Sequence, residues 1–177
     1  GSSAPLRGKK GSEYEGGVRV PFIAAWAKPD AKNKFQKKYP IAQNAVQLQQ
    51  GTVMDLYPTI LSVAHVKPPK HYALDGADLK KLFQGKEDKK HRDDFLMHFP
   101  HGEHRANYFT TYRKGDWKLI YYYHPETTGV PTWKLYNLKD DPYEKTEVSA
   151  EYPEKTASMI EQMKDRLKEE NALYPEE

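Results

Sequence analysis

The chain has no cysteine among its 177 residues. That excludes a disulfide framework, a thiolate metal site and a cysteine nucleophile within it. No apolar run reaches the roughly 20 residues a membrane-spanning helix needs, no stretch has the layout of a signal peptide, and there are no internal repeats. Apolar residues are scarce as well: they make up 37% of the chain, and the mean hydropathy of −0.94 is polar for a self-sufficient globule. What is plentiful is aromatic. Thirteen tyrosines within a 12% aromatic content rule out a disordered composition. A polar chain rich in amphipathic aromatics suits a thin layer packed against something larger.

Charge is unevenly placed. The net charge is +3, yet residues 139–177 hold 12 acidic and 6 basic side chains, so the preceding residues carry a net +9. An anionic partner or substrate is therefore expected on the basic part and not on the tail. The Tyr121, Tyr122, Tyr123 cluster and the lysine runs have the ingredients for nucleic-acid stacking. No nucleic-acid motif accompanies them, and strand alternation puts Tyr122 on the face opposite its neighbours, so neither nucleic acid nor membrane is expected as a partner.

Punctuation divides the chain. Residues 1–20 contain five glycines and alternating charge and read as loop. Residues 19–26 read as a strand buried on both faces, supplied with β-type apolar groups by Val18, Val20, Phe22 and Ile23. A lysine- and glutamine-rich connection leads to a helix over 52–66, with Thr52 as N-cap and Val53, Leu56, Tyr57, Ile60, Leu61 and Ala64 at helical spacing. Pro58 lies near its first turn. Residues 86–92 form a charged hinge. After it come four strand-like runs, 95–99, 108–113, 117–123 and 133–138, with a tight turn at Lys114, Gly115 and Asp116. In the third run Trp117, Leu119, Tyr121 and Tyr123 share one face and Lys118, Ile120 and Tyr122 the other. An antiparallel meander with one covered face follows. The cover is a last helix over 153–171, whose Thr156, Met159, Ile160, Met163 and Leu167 form one apolar stripe, with Pro153 in its first turn.

The stretch PLRGKKGSEYEGGVRVP (residues 5–21) delivers cationic groups on a glycine-punctuated loop that runs into the apolar segment 22–26. It resembles a signature of the sulfatase family, in which a sulfate-contacting lysine in a Gly-Lys-Gly-like loop precedes Tyr-Glu-Gly-Gly and a core strand. DLYPTIL (55–61), LDGADL (74–79), RKGDWKLI (113–120) and LYNLKDDPYE (135–144) resemble further patterns of that family, in order and with matching gaps. Alanine and aspartate in LDGADL are minor departures. The resemblance covers nearly the whole chain. It implies an α/β fold: the end of an alkaline-phosphatase-like catalytic domain over 1–90, then a four-stranded antiparallel sheet packed by a C-terminal helix over 91–177. It also implies that the chain is the C-terminal part of a longer enzyme.

Hydrolysing a sulfate ester requires cations and a metal placed where negative charge develops. The resemblance implies a formylglycine nucleophile made within a Cys/Ser-x-Pro-x-Arg motif, and a divalent, calcium-like cation held by Asp and Asn residues. Neither motif is in this sequence, so both are expected upstream of residue 1, with no metal ligand in the chain itself and no turnover from the chain alone. By motif position Lys10 matches the lysine that contacts the sulfate group, with Lys9 the adjacent alternative; the ordinary reading of either is a solvated loop lysine. Arg7 holds the loop or reaches an anion, and Glu15 and Arg19 pair to shape it. His98, His101 and His104 lie within eight residues, but Pro100 and Gly102 break any helix and no metal spacing appears. They are expected instead as a hydrogen-bonding rim for sugar hydroxyls or sulfate oxygens, against the alternative of surface histidines in a strand-end loop. His65, His71, His91 and His124 read as ordinary surface or packing residues.

The expected protein is thus a sulfuric ester hydrolase acting on a sulfated small molecule or glycan, in a periplasmic, extracellular or lysosome-like compartment. Two alternatives stand beside it: a phosphate or phosphonate ester hydrolase of the same superfamily, and a noncatalytic module that binds sulfated glycans or a partner. Edge-to-edge self-association is a further expectation for a chain carrying part of a sheet.

Overall fold

The computed structural model describes residues 2–101 and 108–175. In chain order its elements are α1 (Glu15–Val18), α2 (Lys34–Lys38), a 3₁₀ turn (Val53–Asp55), α3 (Leu56–Ala64), α4 (Lys80–Phe83), β1 (Asp94–Phe99), β2 (Phe109–Lys114), β3 (Trp117–Tyr122), α5 (Pro125–Thr128), β4 (Trp133–Asn137) and α6 (Pro153–Glu169). They form two compact units. One joins residues 1–20 to 94–177, and the other holds residues 21–93.

The first unit is a three-layer stack. Strands β1 to β4 pair in sequence order, all antiparallel, with Leu96 opposite Tyr112, Tyr112 opposite Leu119 and Leu119 opposite Leu135. These residues point to one face and meet Met159, Met163 and Leu167 from α6. The apolar stripe read from the sequence is therefore the buried stripe of the helix. Arg166 of α6 reaches Asp94 at the start of β1, 3.3 Å away, and fastens the helix to the sheet's edge strand.

The second face differs from the expectation of one covered face. Phe109, Ile120, Tyr122 and Tyr136 on that side are also buried, packed with Tyr14, Met97 and Phe99. Tyr14 belongs to the N-terminal loop, which lies flat on the sheet there. A sheet covered on both sides calls for apolar residues on both phases of its strands. Ile120 and Tyr122 are that signal in β3.

The unit of residues 21–93 is built on turns and short helices. Its centre is Asp55, whose carboxylate accepts the N–H groups of Thr52 (2.7 Å) and Ala77 (2.8 Å). The Thr59 hydroxyl donates to the Asp55 carbonyl at 2.6 Å and accepts from the Leu79 N–H at 2.9 Å. The segments 55–61 and 74–79 are thus hydrogen-bond partners of each other, which explains why both patterns occur together. His91 is buried against Asp55 at 3.5 Å.

The strand expected over 19–26 is not formed. Val18 ends α1, and residues 19–26 are irregular, with Val20 and Ile23 exposed at 68% and 89%. A β-strand exists through its ladder bonds. Among the described residues every strand pairing lies within 94–137, so this apolar run has no ladder to join. The helix over 52–66 is present as the 3₁₀ turn followed by α3, but Val53, Leu56, Tyr57 and Ile60 on its apolar stripe are exposed.

Two substitutions separate these environments. Leu119→Ala, at a fully buried site between α6 and the sheet, should cost about 2–5 kcal/mol of unfolding free energy. Ile23→Ala, at an exposed site, should stay within about 0.5 kcal/mol of the parent. Urea denaturation of this chain reads both, and equal effects would contradict the packing described.

Candidate functional site

The loop of residues 7–19 brings a cluster of charged groups onto the sheet. Its shape comes from bonds within itself. The Ser12 N–H donates to the Lys9 carbonyl (2.9 Å) and the Lys9 N–H to the Ser12 hydroxyl (3.2 Å), closing a turn with Lys10 and Gly11 at its tip. The Gly16 N–H then donates to the Arg7 carbonyl at 2.7 Å, folding the loop back on itself. A Cβ on Gly16 would sit 2.5 Å from that carbonyl oxygen, and one on Gly17 would sit 2.1 Å from the Ser12 carbonyl oxygen. The paired glycines of the Tyr-Glu-Gly-Gly pattern are therefore demanded by close backbone approach.

The loop is fixed to the sheet by charge. Lys118 of β3, 1% exposed, lies between two buried carboxylates: Glu15 of the loop at 3.0 Å and Glu144, which follows β4, at 2.8 Å. Glu15 also faces Arg113 (3.3 Å) and Arg19 (2.7 Å). The Glu144 carboxylate accepts the Glu15 backbone N–H at 2.6 Å. On the other side of the turn, Arg7 donates to the Glu144 carbonyl (2.7 Å) and the Tyr136 hydroxyl (3.3 Å), while its guanidinium stacks 4.0 Å from the centre of the Tyr14 ring. The Tyr122 hydroxyl donates to Glu13 at 2.7 Å.

The two carboxylates that share Lys118 are displaced in opposite directions. Burial pushes Glu15 up, but Lys118, Arg113 and Arg19 outweigh it and hold the group below its ordinary value. Burial pushes Glu144 up too. It has one cation, Lys118, and the neighbouring Glu15 charge adds to the rise, so its pKa stays above the ordinary 4.5.

Lys10 and Lys9 both lie exposed at the turn. Their ammonium groups are mounted on a backbone whose flanks are anchored in the sheet. His98 goes elsewhere. Its ring nitrogens meet the Thr110 hydroxyl (2.7 Å) and the Leu173 carbonyl (2.6 Å), and its ring lies edge-on to Tyr123 and Tyr174. Opposite Thr110 on β2, it sits on the α6 face of the sheet, whereas the Lys10 loop covers the other face. His101 is exposed past the end of β1 with its ring edge-on to Phe99 at 5.6 Å. His104 lies outside the described residues. Among the described residues no group of three or more His, Asp or Glu side chains is arranged to hold a metal ion.

Lys118, Glu144 and Arg113 were not singled out by sequence. The available signal was a lysine between Trp117 and Leu119 in a strand whose outward phase is otherwise Ile120 and Tyr122; a charge on an apolar face requires a counter-charge.

The chain matches the family model for the C-terminal part of N-sulphoglucosamine sulphohydrolase over residues 9–172. It is 33% identical over 182 residues to a sulfatase of Formosa agariphila, covering 94% of this chain and 29% of that protein. To the N-acetylgalactosamine-6-sulfatase of Sus scrofa it is 35% identical over 115 residues, 62% of this chain and 20% of that one. A solved structure in complex with its substrate D-glucosamine-2-N,6-O-disulfate superimposes with a TM-score of 0.53 at 28% identity, over 64% of this chain and 23% of that one. The chain spans less than a third of the length of these relatives.

The opposed displacements of the carboxylates have a measurable sign. A carboxyl raised on folding contributes stability that is complete below its unfolded pKa and fades as pH rises through the folded one. Glu144→Gln removes that dependence, so above pH 4.5 the variant should gain on the parent with rising pH. Thermal melts of both proteins across pH 4–8 would read this, and a difference that moves the opposite way would refute the assignment.

Proposed function

The chain belongs to the sulfatase family, and we propose that it is the C-terminal portion of an enzyme that hydrolyses sulfate groups on a sulfated carbohydrate, with Lys10 contacting the sulfate. One observation carries this reading: the Lys9–Ser12 turn is exposed and cationic while both its flanks are tied to the buried Lys118–Glu144 pair. A lysine held so that its ammonium meets an oxyanion needs little reorganisation when charge develops there, which is the main source of electrostatic catalysis. The family match begins at residue 9 and so includes Lys10.

The carbohydrate substrate class is supported by relatives. The structural neighbour at 28% identity holds a disulfated glucosamine, and the matched family model bears the name of a sulphoglucosamine hydrolase. The nucleophile, a formylglycine in this reading, and a divalent cation such as calcium are assigned to sequence upstream of the chain. Such a cation would supply charge stabilisation at the sulfuryl oxygens. What this chain contributes is binding and orientation: Lys10 offers N–H donors to a sulfate oxygen, and Arg7 and Glu15 hold the loop still. His101 stays a candidate for the substrate rim, as does His104. His98, engaged by Thr110 and Leu173, is a weaker one.

The test uses the full-length protein that contains this chain, assayed on glucosamine sulfated at N, at 6-O or at both, and in parallel on the matching phosphate ester. Sulfate release is expected to dominate. Lys10→Ala should lower kcat/KM about 100- to 1,000-fold, the range for loss of one preorganised oxyanion donor. Residues 1–177 alone should show no turnover. Preference for phosphate would move the enzyme to the ester-hydrolase alternative, and turnover by the isolated chain would overturn the assignment of the nucleophile upstream.

A further inference from the structure

Lys118 is unusual for a lysine. It sits in a central strand, 1% exposed, on the face that carries Ile120, Tyr122 and Tyr136, and opposite Arg113 of β2. A buried ammonium is costly unless paired and hydrogen-bonded, so what matters at this site is what the charge holds. It holds Glu15, five residues beyond Lys10, and Glu144, whose own carboxylate accepts the Glu15 N–H and whose carbonyl accepts Arg7, three residues before Lys10. Both ends of the short segment that carries Lys10 thus converge on one buried pair.

Between those ends the chain has little freedom. The Lys9–Ser12 turn is closed by two bonds, and the Arg7 carbonyl is bonded to the N–H of Gly16, the residue after Glu15. A displacement of Glu15 is then transmitted to Lys10 with few soft torsions in between. Glu144 is itself placed by its neighbours, its N–H donating to the Asp141 carbonyl at 3.2 Å and the Thr146 N–H to the Asp141 carboxylate at 2.8 Å.

We propose that Lys118, acting through Glu15, is a positioning residue for Lys10, so that the C-terminal sheet sets the geometry of the sulfate site; this rests on the reading of Lys10 given above. The sheet is in this sense part of the active-site apparatus. A misplacement of about 1 Å at a reacting group costs up to about 100-fold in rate, so the sheet's hold on the loop has a kinetic readout separate from its contribution to folding.

The experiment is a double-variant cycle in the full-length enzyme between Lys10→Ala and Glu15→Gln, with Lys118→Met measured beside them. Glu15→Gln leaves Lys118 paired with Glu144 and removes the carboxylate shared with Arg113 and Arg19, a milder change than Lys118→Met, so it decides the matter even where Lys118→Met fails to fold. The readouts are kcat/KM on the sulfated glucosamine that the enzyme turns over, the inhibition constant of inorganic sulfate, and the melting temperature. Glu15→Gln is expected to lower the melting temperature, because Arg113 and Arg19 lose their carboxylate, and, assayed below that temperature, to lower kcat/KM about 10- to 100-fold and to weaken sulfate inhibition. Combined with Lys10→Ala it should add nothing to the single loss, because both act through one group. A folded Glu15→Gln enzyme within twofold of the parent would overturn the proposal, as would losses that multiply in the double variant. If Lys10→Ala alone leaves activity intact, the sulfate role of Lys10 falls first and the positioning role falls with it. That outcome is read from the single variant and is distinct from the other two.

Discussion

The Lys118 ammonium buried between Glu15 and Glu144 is the constraint around which the sheet unit is arranged. Remove Lys118, and two carboxylates are left close together in the interior, a costly state because breaking a buried pair leaves an uncompensated charge. The charge thus joins the loop, β3 and the segment after β4, although Glu15 and Glu144 lie 129 residues apart. The same arrangement explains the opposed behaviour of the two carboxyls, since Glu15 collects three cations and Glu144 shares one.

Much of the architecture was legible. The four strands, the tight turn at Gly115 and the apolar stripe of α6 follow from period-2 and period-3.6 patterns, and the structure places each within a residue or two of its expected bounds. The family resemblance was legible as well, because glycines at 16 and 17 and the Asp55 pattern reflect backbone packing that tolerates few substitutes. Two readings failed for the same reason. The strand over 19–26 and the single covered face of the meander both depend on what lies alongside in space. A strand is made by its neighbours, and β-propensity describes only how well a segment fits such a place. Residues 19–26 find no ladder among the described residues, while β3 finds the N-terminal loop on its outer side.

The candidate site was legible in part. Lys10 was singled out from its motif, and the structure shows the loop that carries it. The supporting charges were not, because a lysine and a glutamate separated by 103 residues leave no local pattern. The histidine group was read by proximity in sequence. Alternation along β1 instead sends His98 to the α6 face, where Thr110 and the Leu173 carbonyl occupy its ring nitrogens.

Residues 21–93 present exposed apolar groups from Ile23 to Ile60, whereas the sheet unit buries its own on both faces. The sheet unit is thereby a carrier for the cationic Lys9–Ser12 turn. The most direct measurement is a crystal structure of the full-length protein with a sulfated sugar or inorganic sulfate bound. The Lys10 ammonium should then stand about 2.7–2.9 Å from a sulfate oxygen with the Glu15–Lys118–Glu144 contacts unchanged. A sulfate bound away from the Lys9–Ser12 turn, or a loop detached from Lys118 while sulfate is bound, would contradict it.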